Sequence, residues 1–220
     1  MSEPTVIQRL ARVTARIAAT GRNPHEVAIV AVTKGLGVEA CREAMAAGLH
    51  VLGENRVQEA LPKMEAVKGA QWHLIGHLQT NKVKQAAGRF AVIQTVDSTR
   101  LAEAIARLAP AQAVLVEVNV AREAQKSGVS PEQALELIEA VAGLLDLRGL
   151  MGMGPSHGDP TPAFNELRQL HDQAEQRVGK ALPILSMGMS GDLEPALAAG
   201  STMLRLGQAL FGPRASLPKC

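Results

Sequence analysis

Apolar residues in this chain come in short unbroken runs, separated by segments whose apolar positions recur every three or four residues. The first run is Val27-Ala28-Ile29-Val30-Ala31-Val32, rich in β-branched side chains and with no polar position to face water. Such a run predicts a strand covered on both faces, as in a parallel sheet flanked by helices. Ahead of it, Val6, Ile7, Leu10, Val13 and Ile17 space out a helix from near Pro4 to Ala19, closed by the glycine stop Thr20-Gly21. Behind it, the run ends at Thr33-Lys34-Gly35 and a helical pattern covers 38–47.

The same alternation continues to the end of the chain. Further strands are expected at 50–53, 72–75, 91–95, 114–118, 147–151, 184–187 and 202–206. The second helix places Val57, Leu61, Met64 and Val67 on one face, with a kink at Pro62. Helices follow over 80–87 and after Ser98. Another begins at Ser130-Pro131-Glu132-Gln133, where an N-cap serine, a proline at the first helical position and a glutamine mark a helix start. A Gly/Pro/Ser/Asp loop over 154–162 leads into a long helix to Val178, and shorter helices follow Asp192 and Leu206. Eight strand-helix units behind one leading helix predict an α/β chain folded as a (β/α)₈ TIM barrel. An open doubly wound sheet is compatible with the same alternation, but no Gly-x-Gly-x-x-Gly follows the first strand. No Pro/Gly/Ser-rich linker divides the chain. Residues 1–220 are therefore expected to form one domain, with 1–20 as an N-terminal helix packed on the barrel.

Composition narrows the function. Lys and Arg total 23 against 21 Asp and Glu, a formal charge of +2, with a sequence pI of about 8.7. That balance gives no electrostatic footprint for nucleic acid or an anionic membrane surface, and no apolar run approaches the ~20 residues of a membrane helix. Hydrophobic residues are 46%, within the globular range. Cys41 and Cys220 form neither a disulfide framework nor a zinc ligand set, which fits a reducing cytosol. The leading helix carries Arg9, Arg12 and Arg16 as a transit peptide would, but Glu3 and the lack of serine enrichment count against that. A cytoplasmic protein is expected. There is no Tyr, so any mechanism that needs a tyrosine phenol from this chain is excluded.

In a barrel the working face lies at the C-terminal ends of the strands. Lys34 ends the first strand, where its amine would point into the mouth. Partial desolvation leaves more of a lysine neutral and able to attack a carbonyl, so it is a Schiff-base candidate; equally it is a strand-end lysine reaching for water. Ser190-Gly191 after the seventh strand and Gly207 after the eighth occupy the usual place of a barrel phosphate site, although a cap-and-turn role explains Ser190-Gly191-Asp192 as well. Asp192 and Glu194 would have to point away from a phosphate. Arg205 interrupts a strand expected to be buried and needs a partner, either a carboxylate such as Glu117 or Glu54 or a ligand acceptor. Asn55 is either a helix N-cap or a ligand contact. His73 and His77 have the spacing of zinc helices but fall on a strand and its turn, so no metal site is expected. Lys126-Ser127-Gly128 sits in a long loop on the same face, where ligand closure is common. The echo of Leu150-Met151-Gly152-Met153-Gly154 in Ser186-Met187-Gly188-Met189-Ser190 suggests two strand exits at one end of the barrel.

Several of these stretches resemble one family closely. They are Ala31-Val32-Thr33-Lys34, Gly53-Glu54-Asn55-Arg56-Val57-Gln58-Glu59, Trp72-His73-Leu74-Ile75-Gly76-His77-Leu78-Gln79-Thr80-Asn81-Lys82, Val96-Asp97-Ser98, Lys126-Ser127-Gly128, Ser186-Met187-Gly188-Met189-Ser190-Gly191-Asp192 and Arg205-Leu206-Gly207. In order and over nearly the whole chain, they are similar to the pyridoxal phosphate homeostasis protein family (the proline synthetase co-transcribed homologues). Arg56 and Leu204 stand where a tyrosine and a β-branched residue are frequent. The resemblance implies a barrel like the N-terminal domain of alanine racemase, with pyridoxal 5'-phosphate on Lys34 as an internal aldimine. It puts Ser190, Gly191 and the Arg205–Gly207 turn around phosphate and ring, Arg205 facing the pyridine nitrogen, and Asn55 near the cofactor, with no catalytic or metal residues implied. An arginine there keeps the nitrogen unprotonated and weakens the ring as an electron sink. Alanine racemase adds a tyrosine base from a second domain; this chain is expected to have neither. The implied function is buffering or delivery of pyridoxal phosphate, affecting amino-acid and keto-acid balance, by a monomer whose candidate recipients are apo-enzymes that use the cofactor. The alternatives are a weak racemase-like enzyme on the same lysine, or a barrel enzyme using Lys34 on a phosphorylated sugar.

Overall fold

The structure, a computed structural model, describes residues 3–213; Cys220 lies outside them. The leading helix α1 (Val6–Ala19) opens with a capping box, Thr5 and Gln8 each accepting from the other's backbone N–H. It buries Val6, Val13 and Ile17, as the spacing predicts. A short 3₁₀ turn at Pro24–Glu26 delays the first strand, β1, to Ala28–Val32. Then follow α2 (Val38–Ala46), β2 (Val51–Glu54), α3 (Val57–Ala66), β3 (Gln71–Leu74), α4 (Val83–Ala86), β4 (Val92–Val96) and α5 (Thr99–Ala106). The remaining elements are β5 (Ala113–Val118), α6 (Pro131–Ala142), β6 (Asp146–Gly152), α7 (Thr161–Val178), β7 (Ile184–Ser186), α8 (Leu193–Ala198), β8 (Met203–Leu206) and α9 (Gln208–Phe211).

All eight strands pair in parallel with their sequence neighbours, and β1 also pairs with β8 from Ala28↔Met203 to Ala31↔Leu206. That last ladder closes the sheet into a (β/α)₈ barrel and sets the open doubly wound alternative aside. Helix α1 packs against α8 and α9, where Arg16 forms a bidentate pair with Glu194 of α8 at 2.7 and 2.8 Å. Among the described residues no helix is long and apolar enough to cross a membrane.

Alternation along the strands sorts side chains to two sides of the sheet. Leu52, Leu74, Ile93, Val114, Val116, Leu150, Leu185 and Leu204 join the large core between sheet and helices. Val92, Leu115 and Met151 form a separate small cluster, the apolar floor of the barrel lumen. One irregularity keeps this sorting in step on β6. The β5–β6 register passes from Val114↔Leu147 directly to Leu115↔Gly149, so Arg148 is an extra, exposed residue in a bulge.

Two local expectations are corrected. α6 does begin at Pro131, but the Ser130 hydroxyl caps no backbone N–H and instead lies 3.5 Å from Gln133 Oε1. The buried residues of α3 are Val57, Ala60 and Lys63; Leu61 and Met64 are only partly buried, flanking them. The turn of the helix is set by a lysine with a buried partner, described next. Pro62 is accommodated within α3.

Candidate functional site

A cavity of about 430 Å³ opens at the C-terminal ends of the strands, and Lys34, Asn55, Ser190, Gly191, Arg205 and Gly207 all line it. Met153 and Met189 line it too, so the two similar strand exits do meet at one end of the barrel.

Lys34 is held by what lies beneath its neighbour. Thr33 is fully buried, and its hydroxyl donates to Glu54 Oε1 at 2.6 Å. Lys63 Nζ reaches the same oxygen at 2.6 Å and the Thr33 carbonyl at 2.9 Å. This triangle under the β1 exit fixes the backbone that carries Lys34. It also consumes Glu54, which is therefore not the partner of Arg205. Buried Cys41 adjoins the triangle, and burial pushes its thiol pKa up.

Arg205 is buried on β8 and finds its partners in the lumen wall. Nη1 donates to the Ser186 carbonyl and hydroxyl, both at 2.8 Å, and Nη2 donates to the Gly152 carbonyl at 2.9 Å. Of the two expected partners, a carboxylate or a ligand acceptor, neither carboxylate hydrogen-bonds it among the described residues; carbonyls at the ends of β6 and β7 do. Burial lowers the guanidinium pKa to about 10, against the opposing pull of Glu117 and Asp192. From Arg205 a hydrogen-bonded chain descends into the barrel. The Ser186 hydroxyl donates to Gln94 Oε1 at 2.7 Å, and Gln94 Nε2 donates to His73 Nδ1 at 2.8 Å. Burial lowers His73 to about 4, so the ring is a neutral acceptor at physiological pH, with its remaining proton on Nε2.

The β7 exit is shaped by Gly188. Its φ is +96°, and a Cβ there would lie 2.6 Å from Ala196 Cβ and 2.8 Å from Leu204 Cδ2, a turn only glycine makes. The turn carries Met189, Ser190 and Gly191 to the cavity. The Ser190 hydroxyl accepts from Ala209 N at 3.0 Å, tying this loop to the start of α9 just past Gly207. Asp192 accepts from Met189 N, and Glu194 is spent on Arg16. Both acids are thus engaged with the protein.

Asn55 does not cap a helix. The N-cap of α3 is Arg56, and Asn55 Oδ1 is buried without a hydrogen-bond partner among the described residues, at a residue that lines the cavity. His73 and His77 part company: His73 lies in the lumen, whereas His77 Nδ1 pairs with Asp97 at 3.2 Å on the rim. The loop holding Lys126 is pinned rather than loose. Lys126 Nζ donates to the Gly154 carbonyl at 2.6 Å, and Glu123 accepts from the Ser156 N–H and hydroxyl, both at 2.6 Å. On the barrel's flank, His171, Asp172 and Glu175 bring ligand-type atoms within 4.8 Å of one another. Their hydrogen bonds already serve the Leu182 backbone and Arg168.

Three residues of the site were not singled out as site residues from the sequence. Gln94 is a polar residue inside an apolar strand, a signal of the same kind as Arg205. Lys63 lies three residues beyond Ala60 and six beyond Val57, on their side of the helix. Glu117 was weighed only as a partner for Arg205, but it lines the cavity itself, and its place two residues after Leu115 on one strand face would have pointed there.

Known proteins share this architecture. The family model described as alanine racemase, N-terminal domain, matches residues 7–215. The pyridoxal phosphate homeostasis protein of Aquifex aeolicus is 42% identical over 222 residues, covering 94% of this chain and 97% of that protein. The protein of the same name from Escherichia coli K12 is 38% identical, covering 95% and 97%. Among solved structures, PipY of Synechococcus elongatus with pyridoxal phosphate bound superposes with a TM-score of 0.82 at 32% identity, covering 94% of this chain and all of that one. Alanine racemase of Corynebacterium glutamicum, at 16% identity and a TM-score of 0.74, shares the fold. This chain spans 63% of the racemase chain.

Proposed function

This chain belongs to the pyridoxal phosphate homeostasis protein family, and on that premise we propose that its strand-end cavity holds pyridoxal 5'-phosphate for buffering and delivery. One observation carries the reading: six residues from four strand exits, each expected at the cofactor, line one cavity. In this reading the Lys34 amine joins the cofactor's aldehyde carbon as a Schiff base, releasing water. Ser190, Gly191 and Gly207 receive the phosphate, the Arg205 guanidinium faces the ring nitrogen, and Asn55 lies beside the ring. The unpartnered Asn55 Oδ1 is a polar atom that such a ligand would satisfy.

The same residues argue for binding without turnover. Arg205, fixed at the lumen wall, opposes protonation of the ring nitrogen, and none of the 220 residues is a tyrosine that could serve as a racemase base. The protein then acts as a monomer, with apo forms of cofactor-dependent enzymes as recipients and effects on amino-acid and keto-acid balance.

Purified protein should be yellow, and borohydride should bleach it and fix the label on Lys34. Lys34→Ala should fold and be colourless; an unaltered chromophore in that variant overturns the reading. Incubated with alanine in deuterated water, the loaded protein should exchange the α-proton no faster than free cofactor. Exchange well above that background would show an enzyme instead.

A further inference from the structure

One buried ionisable group at the cavity has no part in the proposed hold on the cofactor. Glu117 projects from β5 to the lumen side, above Leu115 and beside Met151 in the ladder to β6. Its side chain is buried and borders the cavity, yet Oε2 has no hydrogen-bond partner among the described residues. Several of the charged groups around it are committed to other partners. Arg205 on β8 spends Nη1 and Nη2 on Ser186 and Gly152. Asp97, beyond β4, repels it and is itself held by His77 beyond β3. Asp192, beyond β7, adds further negative charge near Arg205. Lys34, beyond β1, lines the same cavity, while β2 and β6 offer only Asn55 and Met153 there. Lys126, on the loop after β5, is committed to Gly154 and Glu123. Glu117 thus lines the ligand space and keeps one buried oxygen, Oε2, without a hydrogen-bond partner among the described residues.

We propose that Glu117 is the acid–base residue for transfer of the cofactor from Lys34 to an incoming primary amine, such as an amino acid or the lysine of a recipient enzyme. The inference rests on the reading of Lys34 given above. Transfer forms a carbon–nitrogen bond to the incoming amine and breaks the one to Lys34, with no change of oxidation state. The incoming nitrogen gives up two protons and the Lys34 nitrogen gains two. The Glu117 carboxylate carries the two protons one after the other, taking each from the first nitrogen and returning it to the second, so it is unchanged at the end. A group that must both accept and donate serves best when its pKa is near the working pH. Burial, reinforced by Asp97 and opposed by Arg205, raises Glu117 to about 7.

The test uses loaded wild-type protein and the Glu117→Gln and Glu117→Asp variants, compared at equal cofactor occupancy, with alanine as the acceptor amine. Loss of the Lys34-bound chromophore is followed by stopped-flow absorbance from pH 5 to 9. Glu117→Gln should slow exchange by at least ~10-fold and remove an inflection near pH 7; Glu117→Asp should restore part of the rate and the inflection. A second readout needs no cofactor. A carboxyl whose pKa is raised by folding stabilises most fully below its unfolded value of 4.5, and that contribution is lost as pH rises to about 7. The melting temperature of the apo wild type should therefore fall relative to Glu117→Gln across that window. Equal exchange rates with the same inflection, or melting curves that stay parallel from pH 4.5 to 7, overturn the proposal. If instead wild type carries no label on Lys34, the reading of the site fails before Glu117 is tested.

Discussion

Replacing Gly149 with alanine is expected to leave little or no stably folded protein. Gly149 sits at the bulge of β6 with φ +151°, and a Cβ there would lie 1.7 Å from the Ile184 carbonyl oxygen. Ile184 is its ladder partner on β7, so the clash is with backbone that cannot turn aside without opening the sheet. The added strain and lost pairing amount to several kcal/mol, against the ~5–15 kcal/mol that stabilises a typical domain. Nor can the strand escape by sliding. A one-residue slip would send Met151 out of the lumen and Leu150 into it, reversing every side chain of β6 beyond the bulge. Soluble yield and a thermal scan by circular dichroism read the outcome. Gly37→Ala is the control: φ is ordinary there and a Cβ meets nothing within 4 Å, so its melting temperature should stay near wild type. A Gly149→Ala protein that melts within a few degrees of wild type would show that the bulge is dispensable.

Lys63→Met should be the next most damaging change, costing about 3–5 kcal/mol, the usual penalty for removing one partner of a buried pair. It leaves Glu54, which is fully buried, with only the Thr33 hydroxyl for its two oxygens; Oε2 already lacks a partner. Glu54→Leu combined with Lys63→Met removes the uncompensated charge and should recover most of that loss. Urea unfolding of both single variants and the double variant gives the coupling energy directly. Additive losses would mean that the two side chains do not act as a pair. Cofactor affinity should weaken in Lys63→Met as well, because the Thr33 carbonyl loses its donor immediately before Lys34.

How much of this was legible in the sequence follows from what a one-dimensional pattern can hold. The strands were readable because a parallel barrel is covered outside and filled inside, so β1 appears as one apolar run. That Lys34, Ser190, Gly191, Arg205 and Gly207 line the strand-end cavity was readable because barrel chemistry gathers at strand exits. Partners were not. Arg205 was expected to need a carboxylate or a ligand acceptor; within the protein it uses the carbonyls of Gly152 and Ser186 and the Ser186 hydroxyl, and carbonyls are groups that no side-chain pattern records. Lys63 drew no attention because lysine usually faces solvent, and its partner Glu54 lies on a preceding strand, close only after folding. Asn55 stayed open between a cap and a ligand contact because a sequence places a helix start only to within a residue or two; the cap is Arg56. The bulge did leave a trace: an isolated glycine inside a strand often marks one, and Gly149 stood inside the expected strand at 147–151.

The polar chain in the lumen also bears on the order of events in folding. Arg205, Ser186, Gln94 and His73 come from β8, β7, β4 and β3, and the bond from Ser186 to Gln94 spans 92 residues of sequence. Neither half of the barrel can make that bond alone, and closing so long a loop carries an entropic cost that local strand pairing does not. The chain is therefore expected to assemble late in folding, and contacts made late govern how slowly a protein comes apart more than how quickly it forms. Arg205 is thus held by a set of bonds whose main effect is on the lifetime of the closed barrel.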